Sequence, residues 1–397
     1  MIHRVEIENY GSIRARQVID LRIPATAPDR ERFAHSWGDE SVRLPTVVAF
    51  FGPNASGKTT VLRAIVSAIE FAAFSVKLDP GASMPFLQPF RSTELRSRPT
   101  RIEVDFDANW IGDSPHVFRY KLSLVCDMAA AEQRVLHESL QVKDRRRFRF
   151  LFARDEQVIR CARELQLPPS DARLKAVRAN ASVISTMAQL NHGLFSDIVE
   201  DLVSTQRNIR GYHAAPDIKD ALSFLYANRE ALDALVLQLT RLDIGLTDLT
   251  LEKTPYGLAA TFLHEGLDEG VALLEESNGT RSFITNFPAL WYSLKTGRPV
   301  LVDEFDVDLH PILIPEILRW FQDPAGNESE HRAQLFFAAH NVAIMDALEK
   351  EEIFLVEKTR DGASSIIGLK DIRGVRREPS LQRKYLGGVF GAVPNIG

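Results

Sequence analysis

Gly52-Pro53-Asn54-Ala55-Ser56-Gly57-Lys58-Thr59 fits the pattern G-x-x-x-x-G-K-[ST]. Residues of these types at this spacing bind phosphate. The two glycines let the backbone bend and approach an anion closely, and successive N–H groups turn toward it. Lys58 reaches the β- and γ-phosphates, the Thr59 hydroxyl ligates Mg²⁺, and Thr60 extends the phosphate-facing stretch. Far downstream, the apolar run Pro299–Val302 ends in Asp303 and Glu304. Asp303 is placed to hold Mg²⁺ through water, and Glu304 to act as general base on an attacking water. His340 follows the apolar run Gln334–Ala339, where its ring can hydrogen-bond a γ-phosphate or that water. Ser277, Asn278, Gly279 and Thr280 precede a helical stretch. A hydroxyl and amides there could bind a phosphate, though taken alone these residues are better accounted for by a plain N-cap turn.

The elements that must position these groups are readable from periodicity. Pro45–Phe51 is an apolar run of strand type, and Thr60–Phe71 has apolar residues at helical spacing. Strand, glycine loop and helix are the context the motif requires. Residues 2–7 and 16–23 read as strands, and 25–43 as a loop. Alternation with period two over 101–107, 117–125, 134–140 and 147–152 predicts an antiparallel meander. Residues 155–202 and 217–242 are rich in Ala, Leu and Arg with helical spacing, which predicts a helical lobe. Strands at 246–251, 258–262, 300–302, 334–338 and 352–357 then alternate with helices at 281–294 and 313–321, which implies a largely parallel sheet. The expected organisation is one phosphate-binding domain split by an insertion. Residues 1–154 carry the glycine loop and an antiparallel β subdomain, 155–245 the helical lobe, and 246–397 the remaining site residues.

Bulk properties narrow the function classes. The 397 residues are 45% hydrophobic, enough for one large core or two smaller ones. Forty-eight basic against 53 acidic residues leave a net charge of −5, which excludes a globally basic nucleic-acid binder. The segments 143–149 and 373–377 are locally basic, and suit either solvated turns or phosphate contacts. No apolar run approaches the ~20 residues that span a bilayer, and residues 1–9 alternate like a strand, so a cytoplasmic location without membrane contact is expected. Cys126 and Cys161 lack metal-ligand spacing and suit a reducing compartment, with a disulfide between them left open.

The order of these parts resembles that of ABC-type ATPases: glycine loop, S-x-G-T before a helix, hydrophobic-Asp-Glu, then strand-His. Ile2–Ile13 looks like the opening strands of RecF and SMC heads. Asp303-Glu-Phe-Asp-Val-Asp-Leu-His-Pro311 is similar to the corresponding segment of OLD-like and abortive-infection ATPases, as are 85–90, 180–191 and 385–394. The resemblance implies an α/β fold with a mixed, largely parallel core sheet, an antiparallel β subdomain and a helical insertion lobe. It implies ATP and Mg²⁺ as cofactors, slow or conditional hydrolysis, and a homodimer or higher even-numbered homo-oligomer. Ser277, Asn278, Gly279 and Thr280 then form a signature that acts on the partner's nucleotide. Asp306 and Asp308 occupy the D-loop position, His340 matches the switch histidine, and Gln88 is the candidate Q-loop residue. Members of this group often control a neighbouring effector protein in bacterial anti-phage defence. Nucleic acid is permitted but not required. A RecF-like DNA-repair ATPase and an ATP-dependent assembly scaffold with little turnover are the rival readings. The signature lacks the double glycine and glutamine of L-S-G-G-Q, and no Toprim-like acidic cluster follows the ATPase part.

Overall fold

The computed structural model describes residues 1–391 except 111–113, 128–131, Arg210, Tyr212, 243–244, Tyr256, 307–308, 310–312, 327–328, Glu330 and 376–379. Two large sheets organise the chain. The first has seven strands in the order β10-β9-β8-β7-β6-β1-β2, all antiparallel. Its members are β1 (Ile2–Glu8), β2 (Gln17–Asp20), β6 (Thr100–Trp110), β7 (Ser114–Asp127), β8 (Glu132–Asp144), β9 (Arg147–Asp155) and β10 (Val158–Cys161). The expected meander is therefore present, extended at one edge by the opening hairpin. β3 (Phe33–His35), inside the stretch expected to be loop, pairs with β4 (Arg43–Pro45) at its end to form a small hairpin.

The second sheet has the order β11-β15-β16-β5-β17-β18. It contains β5 (Val47–Phe51), β11 (Gln206–Arg207), β15 (Pro299–Val302), β16 (Gln334–Ala338), β17 (Ile353–Lys358) and β18 (Ser364–Gly368). Every neighbouring pair is parallel except β17–β18. Strands buried on both faces read as continuous apolar runs, and β5 and β16 are buried throughout. Alternation along β5 still sorts its side chains: Val48 and Phe50 enter one core cluster, and Val47, Ala49 and Phe51 the other.

The first cluster holds α1 (Lys58–Phe74) between the two sheets. The stretch Lys58–Lys77 is long and apolar enough by composition to cross a membrane, contrary to the expectation that no such run exists. Its apolar residues instead fill the core, and most of it is buried. The short α2 (Ala172–Lys175), α3 (Val183–Gln189) and α4 (Gly193–Val203) belong to this side, with Val183, Ile184, Phe195 and Ile198 in the same cluster. The second cluster contains α5 (Ile218–Ala227), α6 (Arg229–Leu242), α7 (Asn278–Thr296), α8 (Leu313–Gln322) and α9 (Leu381–Leu386). A three-stranded sheet of β12 (Leu246–Thr254), β13 (Gly257–His264) and β14 (Val271–Ala272) packs there too.

The segment expected to form one helical lobe thus divides between the two clusters, and between its halves β11 joins the edge of the core sheet beside β15. The physical reason is that each half has its own apolar face, and the faces find different partners. A buried ion pair fixes the first half to the antiparallel sheet. Arg154 and Glu138 are both fully buried. Arg154 donates to the carbonyls of Glu156, Ala181 and Arg178 at 2.6–2.9 Å. Glu138 accepts from the Tyr120 hydroxyl at 3.0 Å and the Val183 N–H at 2.9 Å. Burial lowers the Arg154 pKa, offset in part by Glu138.

Candidate functional site

Parallel register brings the candidate residues together. Val302 of β15 aligns with Phe337 of β16, and Ala338 of β16 aligns with Phe50 of β5. The glycine loop, the Asp303–Glu304 turn and His340 therefore all leave the sheet at the same edge, the carboxyl ends of the strands, where α/β sheets bind ligands.

The loop itself is tightly confined. A Cβ added at Gly52 would sit 1.9 Å from the carbonyl oxygen of Val356. Gly57, with φ 112°, would place one 2.2 Å from Ser364 Oγ and 2.7 Å from Ser12 Oγ. Sequence reasoning missed those two serines. Ser364 Oγ lies 2.5 Å from the Ser56 carbonyl oxygen and 2.7 Å from Ser12 Oγ, and Ser12 Oγ lies 3.2 Å from Thr60 Oγ1. The opening hairpin and β18 thus brace the loop from outside the motif. Pro53 is half-buried, Asn54 and Ala55 are exposed, and Ala55 adopts a left-handed φ of 61°.

Lys58 is buried, and its ammonium donates to the carbonyls of Gly52 at 2.8 Å and Pro53 at 3.1 Å. His340 Nδ1 lies 3.5 Å from Lys58 Nζ. Burial lowers the Lys58 pKa, and the nearby Asp303, Asp306 and Glu304 partly offset that. The donor set fits a nucleotide phosphate. Among the described residues, Ser56 Oγ is buried with no hydrogen-bond partner and no hydrogen bond engages the Thr59 hydroxyl. A glycine loop packed this closely, with a buried lysine at its base, suits an anion, and the Ser56 and Thr59 hydroxyls with the carboxylates near Lys58 suit a hard cation.

Glu304 is exposed and holds a left-handed φ of 53°, a costly conformation for a non-glycine residue that surrounding contacts must enforce. Two anchors flank it. Asn208 clamps the main chain of Asp303 from one side, and the Phe305 N–H donates to the Ala338 carbonyl at 3.2 Å on the other. Asp306 Oδ2 accepts from the N–H groups of His340, at 2.8 Å, and Asn341. Its Oδ1 is buried without a partner among the described residues. Asp306 therefore grips the backbone that carries His340. Asp308 lies outside the described residues.

Ser277 caps α7, its hydroxyl accepting from the Thr280 N–H at 3.0 Å. Its neighbour Glu276 lies 2.7 Å from His264 Nε2. Gly279 and Asn278 form the first turn of that helix. Gln88 borders a cleft of about 970 Å³ that opens beside Ser12 and Thr60. Its carbonyl accepts from the Gly11 N–H at 2.6 Å. Arg63, Arg91, Arg96 and Lys358 line that cleft, and among the described residues no acidic one does. Of the basic segment 143–149, Lys143 pairs with Asp39 and Arg149 with Glu164, while Arg145 and Arg146 form an exposed hairpin turn. Cys126 and Cys161 are both free thiols.

A family model described as "AAA domain, putative AbiEii toxin, Type IV TA system" matches residues 47–346. Among solved structures, the SMC head domain from Thermotoga maritima is similar to this chain, at 14% sequence identity and a TM-score of 0.44. That match covers 92% of this chain and 98% of the other. No curated protein matches.

Proposed function

Since the chain belongs to this AAA domain family, whose P-loop ATPase architecture it shares, we propose that it binds and hydrolyses ATP and so regulates an effector protein in anti-phage defence. The observation that carries the reading is the convergence of the buried Lys58, His340 and the Asp303–Glu304 turn at one sheet edge. The loop Gly52–Thr60 holds the phosphates, and Lys58 exchanges its carbonyl partners for β- and γ-phosphate oxygens. Thr59 and Asp303 hold Mg²⁺, which when bound neutralises charge on the phosphates. The Glu304 carboxylate takes a proton from water as its oxygen bonds to the γ-phosphorus. The bond to the β–γ bridging oxygen breaks, leaving ADP and phosphate. His340 donates to the γ-phosphate. A second copy supplies Ser277–Thr280 to this nucleotide, so ATP closes a dimer and its loss opens it.

The test is purification of the chain with its genomic neighbour, with turnover measured beside Glu304→Gln. Co-purification, and turnover lost in the variant, support the reading. Unchanged turnover in Glu304→Gln removes the catalytic assignment, and a chain that binds no neighbour removes the regulatory one.

One observation favours a second reading, an ATPase stimulated by nucleic acid: the cleft beside Thr60 lined by Arg63, Arg91, Arg96 and Lys358. It predicts DNA-stimulated turnover that is lost in the Arg91→Glu/Arg96→Glu double variant. Turnover indifferent to DNA removes it.

A further inference from the structure

The two-residue strand β11 lies at the edge of the core sheet, beside β15. The residue after it, Asn208, continues the ladder by other means. Its N–H donates to the Leu301 carbonyl at 3.2 Å. Its side chain then takes over where β15 ends. Oδ1 accepts from the Asp303 N–H at 2.7 Å, and Nδ2 donates to the Asp303 carbonyl at 3.1 Å. The second Nδ2 hydrogen goes to Asn286 Oδ1, 3.0 Å away on α7. Chemistry fixes this orientation. A backbone N–H only donates, so the atom facing Asp303 N must be the Asn208 oxygen. Asn286 Nδ2 already donates to the Ser282 carbonyl at 2.9 Å, which leaves its oxygen to accept.

We infer that Asn208 is a positioning residue: it sets the main chain of Asp303, and thereby the aim of the Asp303 and Glu304 carboxylates, and it ties that turn to the signature helix α7. The inference rests on the proposed role of Asp303 toward Mg²⁺. The left-handed Glu304 is what makes the clamp necessary, because a strained turn relaxes unless its flanks are held. A primary amide is the one short side chain that can satisfy a backbone N–H and a backbone C=O together and still donate once more. Since Asn286 sits two turns along the helix that begins at Ser277–Thr280, a shift of α7 is felt at Asp303 through a single side chain.

The experiment titrates Mg²⁺ against binding of a fluorescent, non-hydrolysable ATP analogue to the full chain, for wild type, Asn208→Ala, Asn208→Asp, Asn286→Ala and Asp303→Ala. Groups that orient metal ligands typically cost 10–100-fold in metal affinity when removed. Asn208→Ala is expected to raise the Mg²⁺ concentration for half-maximal binding about tenfold. Affinity without Mg²⁺ should change less than about twofold, because no Asn208 bond reaches the loop among the described residues. Asn208→Asp keeps the acceptor, loses both donors and sets a carboxylate against the Asp303 carbonyl, so it should be at least as damaging. Asn286→Ala removes one bond of three and should move the requirement in the same direction by less. It also keeps the test decisive if substitution of Asn208 prevents folding. A merely structural clamp would lower thermal stability and leave the Mg²⁺ requirement where it was, and that result in Asn208→Ala overturns the inference. If Asp303→Ala also leaves the requirement unchanged, the proposed metal role fails with it. If Asp303→Ala raises it and Asn208→Ala does not, only the positioning role fails.

Discussion

Substituting Gly57 by alanine tests whether the loop is braced from outside its own motif. The added Cβ would lie 2.2 Å from Ser364 Oγ and 2.7 Å from Ser12 Oγ, at a residue with φ 112°. Two costs follow. Holding a non-glycine residue in that backbone region costs about 1–3 kcal/mol. The Ser364 hydroxyl must also leave its bonds to Ser12 Oγ and the Ser56 carbonyl, each contributing about 0.5–1.5 kcal/mol. The sum is a destabilisation of about 2–6 kcal/mol, with loss of nucleotide binding as the loop is displaced. Urea unfolding gives the first quantity, and titration with a fluorescent ATP analogue the second. A double-mutant cycle with Ser364→Ala separates the parts, because it removes the nearest clash and leaves the backbone strain. The expected coupling is about 1–2 kcal/mol in the rescuing direction. A Gly57→Ala protein within ~0.5 kcal/mol of wild type, or zero coupling to Ser364, would refute the bracing argument.

Three further outcomes follow from the same structure. Arg154→Met removes three hydrogen bonds to carbonyls and strands the buried Glu138, so unfolding by urea should show a loss of about 3–5 kcal/mol. Glu352 is buried beside Arg32 and Gln322, and burial pushes its pKa up to about 7 from 4.5. Between those values the folded chain holds a proton that the unfolded chain releases. Stability from this group is therefore full below about pH 4.5 and is lost as pH rises through about 7, by about 3 kcal/mol. Glu352→Gln should flatten that part of the stability profile, and an unchanged slope would contradict the assignment. Lys58→Ala should abolish detectable ATP-analogue binding by titration while leaving the chain folded, because the ammonium's two bonds to carbonyls are offset by relief of its burial.

The parts of the site that travel with their own local pattern are legible in the amino-acid sequence alone. The glycine loop announces itself between a strand and a helix, and Asp303–Glu304 ends an unmistakable buried strand. Parallel pairing then places those ends together, a consequence of alternating strands and helices. The braces are not legible there, because their partners are remote. Ser12 and Ser364 meet across 352 positions, and Asn208 meets Asp303 across 95. A lone serine or asparagine carries no periodic signal that would name its partner. The division of 155–242 between two clusters is hidden for a related reason. Helical periodicity identifies an apolar face, not the surface it will cover. The two-residue β11 and the short hairpin of β3 and β4 are too brief to show alternation at all.

The central claim is a nucleotide site assembled from two copies of the chain, one giving Lys58 and Glu304 and the other Ser277. Complementation between two inactive variants tests it most directly. Lys58→Ala and Ser277→Arg chains are each purified, then mixed, and ATP turnover is measured. A mixed dimer has one site with an intact loop facing an intact signature, so random pairing should restore roughly a quarter of wild-type turnover. Recovery at that level is the predicted result. Two inactive variants that stay inactive after mixing, with exchange of subunits verified by size, would contradict the composite site. So would a Ser277→Arg chain that retains full turnover by itself.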